Sequence, residues 1–141
     1  MNKLYTITVV LFLTSTLFVN ASTYDQKRSE LINLVSKQLS LAKKVSSNYV
    51  NFQNDLKNNQ KRQIMLTSIQ DFHSNHLKLI QNRNHTKPIK SHLDEVDRIW
   101  IIAHELSKEK KHPKMITSTM NDIHKELQEI RKLYKKNIAN N

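Results

Sequence analysis

Apolar residues recur in this chain in steps of four and three, and the pattern appears four times. Leu31, Val35, Gln38, Ala42, Val45, Tyr49, Phe52 and Leu56 form the first set. Met65, Ile69, Phe72, His76 and Leu79 form the second. Ile89, Leu93, Val96, Trp100 and Ala103 make the third, and Ile116, Met120, Ile123, Leu127, Ile130 and Tyr134 the fourth. Steps of this kind place side chains on one stripe of an α-helix, and a stripe of that width has to be buried against other helices. The spacing therefore predicts four amphipathic helices. Leu34 and Leu41 widen the first stripe.

What separates the stripes supports the same fold. The sequence holds no Gly and only two Pro, whereas all-β folds spend both residues on their many turns. Asn58 and Asn59 interrupt the first pattern, and Asn caps helices and tolerates a left-handed backbone. The second pattern stops at residues 82–86. Pro88 then fits the first turn of a third helix and Pro113 that of a fourth, where a missing N–H costs nothing. Lys108 to Lys111 suit the C-terminal dipole of the third helix. The spacing Thr23-Tyr24-Asp25-Gln26 reads as a capping box that starts the first helix. Short connections favour antiparallel neighbours. The expected fold is thus all-α, an antiparallel up-down-up-down four-helix bundle.

The N-terminus has a different character. Lys3 precedes an apolar run from Leu4 to Val19, and Val19-Asn20-Ala21 places small residues where a signal peptidase reads. The run is shorter than the ~20 apolar residues that span a bilayer. Residues 1–21 are expected to be a cleaved signal peptide and 22–141 the bundle. That assigns the mature protein to the periplasm, with secretion as the second choice, and not to the membrane. The sequence to Asn141 shows no second apolar span, so the expected protein stands alone, without an output module of its own.

The chain carries 23 basic and 12 acidic residues, a formal charge of +11. Such a balance suits nucleic acid, a membrane surface, an anionic ligand or a solvated lysine-rich surface, and export argues against nucleic acid. The absence of cysteine removes disulfides, thiolate metal sites and thiol catalysis. His73 and His76 share a helical face, and Glu109 precedes His112 by three. A dimetal bundle needs two Glu-x-x-His units and further carboxylates, so these histidines read as surface or core-edge groups. Asp94, Glu95 and Asp97 point to different sides of a helix and read as partners of lysines or water. No metal, cofactor or catalytic residue is expected, and no enzyme.

The first helix is the most informative. Gln38 occupies a slot in an otherwise apolar stripe, and a buried amide needs partners, either across the core or on a polar ligand. Asn33, Lys37, Ser40 and Lys44 follow steps of four, three and four, which makes a polar, basic strip beside the apolar one. That strip suits a small anion, particularly where two copies meet in a dimer. It also suits a solvated face with one register-fixing Gln.

The segment Ile32-Asn33-Leu34-Val35-Ser36-Lys37-Gln38-Leu39-Ser40-Leu41-Ala42-Lys43-Lys44-Val45 resembles the signature helix of NarX-like, PilJ-type N-terminal sensor domains. Members typically read Ile-Asn-x-Ala-Gly-Arg-Gln-Arg-Met-Leu-Ser-Gln-Arg-Met there. The stretch Asp71-Phe72 to Leu79, followed by Ile89 to Trp100 with its Val96-x-x-x-Trp100 ending, is similar to the family's next two helices. The resemblance covers most of residues 25–135. It implies an extracytoplasmic four-helix sensor bundle in which arginines of the signature helix bind an anion near a dimer axis. Here Asn33 and Gln38 match, while Lys37, Leu39 and Lys44 stand at the arginine positions. Lysine keeps the charge but loses the planar two-pronged geometry. Val35 and Ser36 replace the small Ala-Gly pair. The resemblance and the strip together name Asn33, Lys37, Gln38 and Lys44 as the ligand site. The expected partners are a small anion, a membrane sensor or transducer, and a second copy of the chain. The alternative is a structural or chaperone-like helical protein that meets envelope polymers or client proteins through its basic face.

Overall fold

The computed structural model describes the backbone of residues 2–108 and 112–139, with side chains described for residues 23, 25–108 and 112–136. It contains four helices and, among the described residues, no strand: α1 (Asn2–Gln53), α2 (Asn59–Ile80), α3 (Lys87–Lys108) and α4 (Pro113–Ala139). The chain divides into two compact units, Met1–Leu31 and Ile32–Asn141. The first is the leading part of α1. The expected signal, residues 1–21, belongs to it, and its side chains lie outside the described residues. Among the described residues no helix is long and apolar enough to cross a membrane.

The second unit is the bundle. Cross-helix bonds give its topology directly. Gln38 and Leu34 of α1 meet Phe72 and Asn75 of α2, with the higher number on one helix facing the lower on the other. Ser46 and Leu39 of α1 face Thr117 and His124 of α4 in the same inverse order. So do His76 and His73 of α2 with Asp97 and Trp100 of α3. Each of these pairs is antiparallel, and α3 packs on α4. This is the up-down-up-down order that short connections impose.

The predicted stripes are the core. Val35, Tyr49, Phe72, Leu79, Val96, Ile123, Leu127 and Ile130 are all essentially sealed from solvent. Each such side chain contributes roughly 1.5–3 kcal/mol of transfer free energy. With no disulfide among the described residues, packing carries the fold.

The ends follow the local chemistry. Asn58 is the N-cap of α2, and its Oδ1 accepts from the Lys61 amide at 3.0 Å. Asp55 accepts from both the Asn58 side chain and the Lys61 ammonium, which ties the turn to the helix it precedes. Pro88 and Pro113 stand in the first turns of α3 and α4, where expected. His112, just before Pro113, has φ 68°. Its carbonyl accepts from the amides of Met115 and Ile116, which places it at the N-cap of α4. Glu109 to Lys111, including the carboxylate of the Glu-x-x-His spacing, lie outside the described residues.

Two expectations change. The helix does not start at Thr23, because α1 runs through that position from Asn2. The preceding segment has no Gly or Pro to stop it, and a helix propagates more readily than it nucleates. Leu56 does not extend the first stripe. It sits past the end of α1 and is 57% exposed, because the turn at 54–58 leaves the helical period before reaching it.

Candidate functional site

Successive residues of an α-helix are turned by about 100°, so Lys37 and Gln38 cannot share a face. Asn33, Lys37 and Lys44 are exposed along one strip of α1, with Ser40 between them. Gln38 is fully buried. Its Nε2 donates to the Phe72 carbonyl at 3.1 Å, and its Oε1 accepts from Asn75 Nδ2 at 2.6 Å. Asn75 also donates to the Leu34 carbonyl. Of the four sequence-predicted residues, three therefore line up, while the amide of the fourth is committed to α2. Leu39 is buried as well.

Asn75 is the partner that the periodicity reading missed. Ser68, Phe72, Asn75 and Leu79 continue the steps of four and three, and all four are buried. Small polar residues interleaved with a stripe were the available signal.

The exposed strip continues in the same steps to Ser47 and Asn51, where it meets α4 across a groove of about 380 Å³. Ala42, Val50 and Met120 form its apolar floor. Ser46, Ser47 and Thr117 bring hydroxyls, Asn51 and Asn121 amides, Lys43 an ammonium and His124 an imidazole. A volume of a few hundred Å³, mostly apolar with a few polar groups, is the general form of a small-ligand site. No carboxylate lines it. From residue 32 to residue 53, α1 carries Lys37, Lys43 and Lys44 and no acidic residue. Elsewhere Lys61, Lys108, Lys125 and Lys132 pair locally with Asp55, Glu105, Asp122 and Glu129.

His124 lies at the α1–α4 seam. The Gln128 amide stands 3.3 Å from its Nε2. An amide N–H donates there, so the neutral ring carries its proton on Nδ1. That Nδ1 is buried, and the ring's contact across the seam is the Leu39 carbonyl of α1. Burial, then the Lys43 ammonium, holds the imidazole below its ordinary pKa, against the pull of the Leu39 carbonyl.

The other histidines do not converge on a metal. His76 turns into the core, with Nε2 3.0 Å from Asp97 Oδ1. His73 stays exposed; its Nδ1 accepts from Trp100 Nε1 at 3.1 Å, and its ring stacks on His104. Among the described residues, no group of three or more His, Cys, Asp or Glu could hold a metal ion. The acidic cluster of α3 disperses: Glu95 pairs with Arg98, Asp97 faces His76, and Asp94 is exposed. His92 Nδ1 meets Glu126 Oε2 at 2.6 Å and links α3 to α4. His85 Nε2 donates to the Leu79 carbonyl, so its Nδ1 accepts from the Tyr134 hydroxyl at 2.5 Å. Burial pushes the Tyr134 phenol up to about 12.

Burial lowers the pKa of His76 and outweighs its Asp97 contact. The unfolded ring, near 6.5, therefore binds a proton at a pH where the folded ring does not. Stability is complete above pH 6.5 and falls as pH drops through that value toward the lower folded pKa. His104 and His124 shift the same way. Thermal melts should show the melting temperature falling from pH 7 to pH 5. A His76→Gln protein should lose part of that slope, and an unchanged slope would remove His76 from the account.

No family model, curated protein or solved structure matches the chain.

Proposed function

We propose that this chain is an exported, sensor-type bundle that binds a small anion on the lysine-bearing face of α1, at the groove with α4. The observation that carries this reading is the cationic end of the groove. The Lys43 ammonium stands there with the His124 ring, beside hydroxyl and amide donors, and no carboxylate lines the groove to neutralise it. The exposed strip of Asn33, Lys37 and Lys44 adds positive potential along the approach, which raises the local concentration of anions. The resemblance of this helix to the NarX-like signature helix supports a sensory role, with a membrane sensor or transducer as the downstream partner and a homodimer as the working form.

Titration calorimetry with nitrate, nitrite, phosphate and short carboxylates tests the reading. At least one should give heat and raise the melting temperature, and Lys43→Glu should abolish both effects. No heat and no change in melting with any of them would overturn it. The exposure of Lys37 and Lys44 outside the groove favours a second reading, an anionic envelope polymer bound along the strip. In that case Lys37→Glu would weaken binding as much as Lys43→Glu, and ~0.5 M salt would release the polymer, because exposed charges are screened over a few ångströms at such ionic strength.

A further inference from the structure

One end of the bundle carries charge of a single sign. Residues 76–91 close α2, form the connection and open α3. They hold Lys78, Arg83, Lys87 and Lys90 and no acidic residue. Lys135 and Lys136 lie near the end of α4. His85 meets Tyr134 and His92 meets Glu126, so α4 runs antiparallel to α3 and ends beside this connection. A short relay fixes the two together. The Tyr134 hydroxyl donates to His85 Nδ1 at 2.5 Å, and His85 Nε2 donates to the Leu79 carbonyl at 2.7 Å.

All of these lysines and Arg83 are exposed, and none makes an ion pair among the described residues. The carboxylates on this half of α3 and α4 do little to neutralise them. Glu126 meets His92 and Glu129 meets Lys132, which leaves Asp94, one turn inside Lys90. The opposite end mixes signs, with Asp55, Glu105 and Asp122 each holding a lysine. Like charge gathered at one end repels itself, and an anionic surface relieves that repulsion.

The same end also shows apolar surface. Ile80 closes α2 and Leu77 stands one turn behind it, and they are 38% and 37% exposed. Residues at i and i+3 share a helical face, and Lys78 and Arg83 flank this pair in sequence. Basic residues around exposed aliphatic side chains are the combination that holds a protein at the interface of an anionic bilayer. A single-stranded nucleic acid would call for exposed aromatic rings to stack its bases, and the tyrosine at this end is buried. A soluble polyanion would leave the aliphatic pair without a role.

We propose that this end of the bundle docks on a bilayer surface with anionic headgroups. The lysines and Arg83 meet the phosphates, and Leu77 and Ile80 enter the interfacial layer. This rests on the export in the reading above, which delivers the chain to a membrane face, and is independent of the groove.

Co-sedimentation of the mature chain with lipid vesicles tests the docking. The chain should pellet with phosphatidylcholine vesicles that contain phosphatidylglycerol and stay in solution with phosphatidylcholine alone. Equal binding to both, or binding to neither, would overturn the proposal. Lys135→Glu should weaken binding by roughly fivefold or more, the worth of one basic residue near an anionic surface. Lys114→Glu makes the same change in net charge about 30 Å away along α4, several Debye lengths at ~0.1 M salt, and should weaken binding less than about twofold. Equal losses from the two would assign the binding to overall charge and overturn a docking end. Leu77→Ser/Ile80→Ser keeps every charge and should weaken binding by about tenfold. No loss there would overturn the bilayer in favour of a plain polyanion. Lys43→Glu, which removes the cation of the groove, should leave vesicle binding nearly unchanged. Loss of vesicle binding in that variant would place the lipid at the groove and overturn the end as the site. Vesicle binding that persists when no small anion binds would overturn the groove reading and leave this one standing.

Discussion

A Phe72→Ala protein should be about 3–5 kcal/mol less stable than the parent, the range for deleting a large buried aromatic. Phe72 is completely buried. Its ring lies 4.3 Å from that of Trp100, centroid to centroid, and stacks toward His76. Its carbonyl receives the Gln38 amide. Truncation removes the aromatic contact and opens a cavity where α1, α2 and α3 meet, and a rigid bundle closes such a cavity only in part. A small domain has about 5–15 kcal/mol in total, so the loss is a large share. Urea denaturation followed by circular dichroism measures it. Leu66→Ala, on the same helix but 43% exposed, should change stability by no more than about 0.5 kcal/mol. A Phe72→Ala loss below about 1 kcal/mol would mean that this side chain is not at the centre of the core.

The second large effect is polar. Gln38→Leu should cost about 2–3 kcal/mol, because Asn75 Nδ2 then keeps only its longer bond to the Leu34 carbonyl inside an apolar core. Asn75→Leu should cost a similar amount by stranding Gln38 Oε1. The double variant should recover at least half of the summed loss, since two leucines leave neither amide wanting a partner. A coupling energy of about 1 kcal/mol or more in the double-mutant cycle is the signature of a direct buried bond. Strictly additive losses would deny that the two amides interact. The pair also bears on register. A one-turn slip of α2 along α1 would strand both amides, so the bond penalises misaligned packings that the apolar stripe alone would tolerate.

How legible the molecule was differs from residue to residue. Met65, Ile69, Phe72, His76 and Leu79 could be assigned to the core from spacing alone, and all are buried. Periodicity succeeds there because a helix fixes which side chains share a face without reference to any other segment. The same logic aligned Asn33, Lys37 and Lys44 on one exposed strip. It could state that Gln38 needed a partner but could not name Asn75, because that pairing depends on the register of α1 against α2. It noticed that His73 and His76 lie on one face. It could not foresee that the neighbouring α3 would draw His76 to Asp97 and His73 to Trp100.

The sequence by itself therefore determined the class of the fold, the four helical stripes, the Asn58 and proline boundaries, and the basic face of α1. All of these are local consequences of a 3.6-residue period and of end chemistry. Only the tertiary structure decided that Asn75 is the partner of Gln38, and that the polar strip runs into a groove against α4. It also decided that His124 reaches the seam beside Lys43, against the Leu39 carbonyl. Those outcomes depend on how far one helix slides along another. That distance is set by the packing of the whole core and is written in no single segment.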